Sequence, residues 1–182
     1  MNPTNVITYE KPLLGFAAFS GTGKTTLLVQ LIPLLKKRGL RIAVIKHAHH
    51  NFDVDKPGKD SYELRKAGAA PMLISSSKRT VIMIDNDEEQ EPELQALLKH
   101  IPADSVDMVL VEGFKQWPFP KIELHREATE KPLMYVDDNN IIAIAHDREK
   151  NNPLTDTELP QLNLNDTQSI ADFIVQFQQQ SL

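Results

Sequence analysis

Short apolar runs alternate along the chain with longer stretches whose apolar residues recur every three or four positions. Leu13 to Ala18 is a continuous apolar run leading into a glycine-bearing turn, the pattern of a strand buried on both faces. From Lys24 to Arg38, residues Leu27, Leu28, Leu31, Leu34 and Leu35 recur at helical spacing and predict a helix with one apolar face. Lys36, Lys37 and Arg38 complement the negative end of its dipole, and Gly39 suits a C-cap. Pro33 falls inside this helix. It removes a backbone hydrogen bond at a cost of about 3 kcal/mol, and predicts a kink or an early end.

Leu40 to Lys46, Val106 to Val111 and Ile141 to Ala145 read as further strands. Helical spacing returns in Glu93 to Ile101, through Leu94, Leu97, Leu98 and Ile101. It returns again in Thr167 to Gln178, through Ile170, Phe173, Ile174 and Phe177. Strands alternating with helices predict an α/β fold with a mostly parallel sheet covered on both faces. Met72 to Ser76 and Thr80 to Ile84 are two short strand patterns joined by Ser77-Lys78-Arg79, the signature of a hairpin. Acidic Asp85 to Glu91 predicts a solvated loop, and Asn151 to Asn165, rich in Asn, Asp, Pro and Thr, predicts mostly loop before the last helix.

The 182 residues suit one domain over 1–182, with the hairpin region, about 68–92, as an insertion. A chain of this length buries roughly two-thirds of its unfolded surface. With 41% hydrophobic and 25% charged residues, it has the composition of a globular rather than a disordered chain. A net charge of -5 without clustered basic residues argues against nucleic acid as a partner. The absence of cysteine excludes disulfides, thiolate metal sites and a thiol nucleophile, and fits a reducing cytosol. Met1 to Lys11 lacks the apolar core of a signal peptide, and no apolar run is long enough to span a bilayer. The expected class is therefore soluble and cytoplasmic, without a membrane partner.

The chemistry concentrates in Ala18-Phe19-Ser20-Gly21-Thr22-Gly23-Lys24-Thr25-Thr26. This is the P-loop pattern G-x-x-x-x-G-K-[ST], with Ala18 in place of the first glycine. A strand before it and an amphipathic helix after it are the context this motif requires. Ser20, Gly21, Thr22, Gly23, Lys24, Thr25 and Thr26 are the expected phosphate-binding residues. Backbone N–H groups and the helix N-terminus would cradle the phosphates, Lys24 would reach the β- and γ-phosphates, and the Thr25 hydroxyl would bind Mg2+. A carboxylate at the end of a neighbouring strand completes such a site. In Asp107-Met108-Val109-Leu110-Val111-Glu112-Gly113, Glu112 fits that place, because Asp107 lies at the opposite end of the strand.

Three blocks together resemble the bacterial MobB family of molybdopterin-guanine dinucleotide biosynthesis adapter proteins. They are FAAFSGTGKTTLL, IKHAHHNFDVDKPGKDSYELRKAGA and DMVLVEGFK, within the N-terminal two-thirds of the chain. The middle block is the specific one, since many families share a P-loop. The resemblance implies a homodimeric GTP-binding protein with weak GTPase activity. It would assist a guanylyltransferase that joins molybdopterin to GMP, and contact other proteins of cofactor assembly. It also implies that extra strands serve dimerisation, a role that falls here to the Met72 to Ile84 hairpin.

In the middle block, Lys46, His47, His49 and His50 follow the second strand at the sheet end where α/β ligands collect. Either the histidines and Asp53 hold a metal, or they form a polar loop bonded to phosphate or backbone. Asp53, ahead of Asp55, is the acid expected to reach Mg2+ through water. Lys59, Asp60, Arg65 and Lys66 face either an anionic ligand or solvent. No N-K-x-D segment is present, so Asp147, after the run Ile141 to Ala145, is the nearest candidate for an acid reading guanine. Three activities stay open on these residues: a slow GTPase adapter, a kinase passing a phosphoryl group to a small metabolite, and a binding module whose P-loop only supports folding. A kinase of this fold usually carries an arginine-rich lid, and no arginine-dense segment occurs.

Overall fold

The computed structural model describes residues 7–48, 52–86, 91–149 and 153–181. The chain divides into two compact units, 1–47 with 93–182, and 48–92.

The first unit is built on a six-stranded sheet. Its elements in chain order are β1 (Leu13–Ala18), α1 (Lys24–Lys37) and β2 (Ile42–Lys46). The second unit then contributes α2 (Asp60–Lys66), β3 (Met72–Ser75) and β4 (Thr80–Met83). The first unit resumes with α3 (Leu94–Leu98), β5 (Met108–Glu112), β6 (Lys121–His125), β7 (Ile141–His146), β8 (Gln161–Asn163) and α4 (Thr167–Gln180). The strand order is β2-β5-β1-β6-β7-β8, and every pairing is parallel. All residues of β1, β5 and β6 are buried, as parallel strands covered on both faces must be.

Alternation along the strands separates two cores. Leu14 and Phe16 of β1, Met108 and Leu110 of β5, and Ile122 and Leu124 of β6 meet Leu27, Leu31 and Leu35 of α1 and Ile170 and Ile174 of α4. On the opposite face, Leu13, Val109 and Val111 meet Leu94 and Leu98 of α3 with Phe114 and Phe119. Asp166 caps α4, its carboxylate accepting the N–H groups of Gln168 and Ser169 at 3.1 Å.

Pro33 does not end α1, which runs on to Lys37. Both Pro33 and Val29, one turn earlier, lie on the exposed face, so the carbonyl deprived of its helical partner faces water. Gly39 then closes the helix, its N–H reaching Lys36 O and that of Leu40 reaching Leu35 O. β2 begins at Ile42 rather than Leu40, because Arg41 is held by Asp107. Its backbone N–H and Nη2 bond the Asp107 carboxylate at 2.7 Å, and Nη1 bonds Asp104 O.

Two strands lie where the apolar pattern is broken. In β6, Lys121, Glu123 and His125 alternate with apolar residues as if exposed, yet all three are buried. Two of them are compensated by residues further along the chain. Lys121 Nζ pairs with Asp138 Oδ2 at 2.9 Å, and Glu123 accepts the N–H groups of Met134 and Tyr135 at 2.7 and 2.9 Å. Burial still pushes the Glu123 carboxyl above its usual range. β8 interrupts the segment expected to be mostly loop and adds the outermost strand beside β7.

In the second unit, β3 and β4 form the expected antiparallel hairpin, with Leu73 opposite Ile82 and Ser75 opposite Thr80. One face, with Ile74, Val81 and Met83, lines a cavity of about 360 Å³ together with Val54, Asp55 and Arg79. Leu73 and Ile82 on the other face are each 57% exposed. The acidic segment after β4 includes residues 87–90, outside the described residues. No helix among the described residues is long and apolar enough to cross a membrane.

Candidate functional site: a phosphate loop with a lysine-bound acid

The end of β1 and the start of α1 form one continuous turn. Ala18 is the last residue of β1, buried in the sheet, and its φ is negative, so nothing at this position requires the glycine of the motif. The glycines that matter are Gly21 and Gly23, at φ 86° and 94°, where a Cβ would be strained. Thr22 between them points inward, its hydroxyl donating to Phe19 O at 2.9 Å. Ser20, Gly21, Gly23, Thr25 and Thr26 stay exposed. Amides of the first turn of α1 have no carbonyl one turn back to bond, so they are available to an anion.

Lys24 lies beside Glu112, with Nζ 3.9 Å from Oε1. Lys46 Nζ is closer, at 3.2 Å from both carboxylate oxygens. The two residues are register partners on β2 and β5. Burial pushes the Lys24 ammonium below its usual value; Glu112 opposes that shift, while Lys115 and Lys46 add to it. Lys115 Nζ lies 5.3 Å from the Phe19 ring centroid. Two ammonium groups thus flank one carboxylate at the mouth of the loop, with the Lys115 charge acting on Lys24, an excess of positive charge suited to a polyanion.

Two further contacts shape this end of the sheet. A Cβ on Gly113, at φ 98°, would stand 2.6 Å from His47 Cβ, so glycine is what lets β2 and β5 close together here. His47 N–H bonds Glu112 O at 2.8 Å, and its ring stacks on Phe114 with centroids 4.8 Å apart. Arg126, one residue past β6, reaches the loop from the other side. Its Nε donates to Thr22 O at 3.0 Å, Nη1 to Asp147 Oδ2 at 3.4 Å and Nη2 to Asn165 Oδ1 at 3.2 Å. Asp147 Oδ1 also accepts the N–H of Glu127 at 3.1 Å.

Of the residues expected from the sequence, the P-loop, Glu112 and Asp147 all lie at this end of the first unit, Asp147 joined to the loop through Arg126. Asp53 belongs to the second unit. There its carboxylate accepts Arg65 Nη2 at 2.9 Å from both oxygens and the N–H of Asp55 at 3.0 Å, while Arg65 Nη1 holds Asp85 at 3.1 Å. Those bonds keep the Asp53 carboxyl below its usual range, the Asp55 N–H first among them. His49 and His50 lie outside the described residues, and among those described no group of three histidines and acids stands at metal-binding distance. Lys46 lies at the ligand end of the sheet as expected, but its pairing with Glu112 was not foreseen, and Lys115, Arg126 and Asn165 are the site's unanticipated members. Arg126 carried one signal: it continues the alternation of Ile122 and Leu124 past the end of β6, onto the face where α1 begins.

A divalent ion has a chemically suitable donor set here. Mg2+ favours one or two protein oxygens, substrate phosphates and retained waters over an all-protein cage. The exposed Thr25 hydroxyl and the largely buried Glu112 carboxylate, on the sheet face that carries α1, are oxygens that would suit such an ion.

The family model for molybdopterin guanine dinucleotide synthesis protein B, MobB, matches residues 13–147, extending past the three resembling blocks. A molybdopterin-guanine dinucleotide biosynthesis adapter protein of Escherichia coli (strain K12) is 48% identical over 169 residues, covering 92% of this chain and 94% of that protein. One of Haemophilus influenzae is 44% identical over 163 residues, covering 90% and 87%. A crystal structure of molybdopterin-guanine biosynthesis protein B superposes with a TM-score of 0.71 at 25% identity, covering 92% of this chain and 99% of the other. The P-loop, the parallel sheet order and the relatives that share nearly its whole length agree: this chain belongs to the MobB family.

Proposed function

We propose that this chain is a GTP-binding adapter with weak GTPase activity, assisting the attachment of GMP to molybdopterin in the biosynthesis of the molybdenum cofactor. The observation that carries the nucleotide part is the Gly21-Thr22-Gly23-Lys24 turn at the N-terminus of α1, with Lys24 and Lys46 flanking Glu112. The names of the relatives support the pathway.

In this reading the backbone of the Ser20 to Thr26 turn and the free amides at the start of α1 bind and orient the phosphates, and Lys24 turns from Glu112 to the β- and γ-oxygens. Thr25 and Glu112 hold Mg2+, directly and through water, and the ion supplies charge neutralisation between the phosphates. Asp53 is the further acid assigned to Mg2+, on the sequence alone. Asp147 accepts the guanine N–H groups. Slow hydrolysis follows from Arg126: its three donating nitrogens are committed to Thr22, Asp147 and Asn165, leaving it bound to protein rather than to a developing charge on the γ-phosphate. The chain acts as a homodimer in the cytoplasm, beside the guanylyltransferase and other cofactor-assembly proteins.

Calorimetric titration with GTP and with ATP, each with Mg2+, tests the ligand. Guanine preference is expected, and equal affinity would remove GTP from the proposal. A reconstituted reaction forming the guanine dinucleotide tests the adapter role, which is expected to fail with Lys24→Ala. Phosphate appearing on an added metabolite instead of in solution would make the chain a kinase.

A further inference from the structure

We infer that Lys46 is a resident counter-cation for Glu112 that competes with the divalent ion, so that metal enters the P-loop only as Lys46 leaves. This rests on the assignment of Glu112 to Mg2+ above. Lys46 Nζ lies 3.2 Å from each oxygen of Glu112, an equal grip on both oxygens. Lys24 is at 3.9 Å, on Oε1. The acid therefore carries two ammonium groups before any ligand arrives. Lys24 has a destination in the phosphates, whereas Lys46 is placed by the sheet.

The backbone around the pair is closely held. Lys46 and Glu112 are opposite each other in the β2–β5 ladder, His47 N–H bonds Glu112 O, and His47 presses against Gly113. Separation must come from side-chain rotation. The asymmetry of exposure decides which partner turns: the Lys46 side chain is 56% exposed and that of Glu112 is 12%. Lys46 stands on the outermost strand with water to receive its ammonium, while Glu112 is on an inner strand. An ammonium and a divalent ion sharing one carboxylate repel each other strongly in a partly desolvated site. By linkage, whatever Lys46 contributes to holding Glu112 is subtracted from the affinity for metal.

The test is Mn2+ binding to the full chain, followed by electron paramagnetic resonance with saturating GTP. Lys46→Met is expected to tighten Mn2+ about tenfold, a coupling of ordinary size, and Lys46→Arg to stay within about threefold of the parent. Glu112→Gln is expected to weaken Mn2+. Circular dichroism of each variant checks that it is folded. If Lys46→Met leaves Mn2+ affinity unchanged or weakens it while Glu112→Gln weakens it, the competition is wrong and the Glu112 assignment stands. If Glu112→Gln leaves Mn2+ binding unchanged, the Glu112 assignment falls, and the role of Lys46 with it.

Discussion

Arg126 donates from Nε to the carbonyl oxygen of Thr22 at 3.0 Å, so a side chain at the end of β6 fixes the backbone of the phosphate loop. The same guanidinium reaches Asp147 and Asn165, past the ends of β7 and β8. Phosphate loop and proposed base-reading acid therefore share one rigid tie. Arg126→Met is expected to weaken GTP about tenfold, since it frees Thr22 O and leaves Asp147 without its cationic partner. Arg126→Lys is expected to recover little, because one ammonium cannot reproduce a three-way fork. Calorimetry on both variants decides it: parent-like binding by the lysine variant would mean that charge alone matters.

Lys24 is the direct phosphate ligand of the proposal. A charge-assisted hydrogen bond contributes about 1.5–3 kcal/mol, so Lys24→Ala is expected to weaken triphosphate binding at least tenfold. Glu112 would keep Lys46 as partner, so little loss of folding stability is expected. Unchanged GTP affinity in a folded Lys24→Ala protein would remove the loop as the binding site.

Asp147 offers a test of base reading independent of the phosphates. Its oxygens each accept one protein donor, from Glu127 N–H and Arg126 Nη1, and each retains a lone pair for a ligand. Asp147→Asn keeps the size but replaces one acceptor with a donor. The expected result is a fall of about tenfold or more in the ratio of GTP to ATP affinity, since the amide would face the guanine N–H groups. A ratio equal to the parent's would assign Asp147 to the architecture alone.

Much of this site was legible before the structure because its signals are local. Lys24 follows a glycine turn between an apolar strand and an amphipathic helix, and Glu112 ends an apolar run; each reading needs about a dozen neighbouring residues. Arg126 and Lys46 are different. Their roles come from strand order, which sets β6 and β5 on either side of β1 and β2 beside β5, and no short-range pattern encodes that adjacency. β6 was hidden for a related reason. Lys121 and Glu123 read as solvent-facing, and only the distant partners Asp138, Met134 and Tyr135 make their burial tolerable. Pro33 misled in the other direction, because its cost depends on whether the freed carbonyl meets water.

The end of the sheet remote from the ligand site carries a pH-sensitive tie. Arg41 holds the Asp107 carboxyl down to about 2, first through its side-chain hydrogen bonds and then through its backbone N–H. A depressed folded value means that the carboxylate contributes stability above its unfolded value of 3.8, and that this contribution disappears as pH falls through about 2. Asp107→Asn is therefore expected to lower the urea midpoint at pH 6, with the gap from the parent closing between about pH 4 and pH 2. A gap of constant size across that interval would show that the ionised carboxylate is not what Arg41 recognises.

The hairpin of the second unit presents the surface proposed for dimerisation. Leu73 and Ile82 face each other across β3 and β4, each 57% exposed, beside the Ser75 and Thr80 hydroxyls, which are 2.9 Å apart. A two-stranded ribbon is marginal alone, and both of its edges lack a neighbouring strand among the described residues. Adding the same ribbon of a second copy would cover the apolar pair and supply the missing ladder. A charge at the centre of such an interface costs several kcal/mol when desolvated without a partner, enough to shift association by roughly a hundredfold or more. The parent is expected to sediment as a dimer and Leu73→Glu with Ile82→Glu as a monomer, with the far-ultraviolet spectrum unchanged because neither side chain leaves the surface of the hairpin. A dimer that survives both charges would place its interface on another face of the chain.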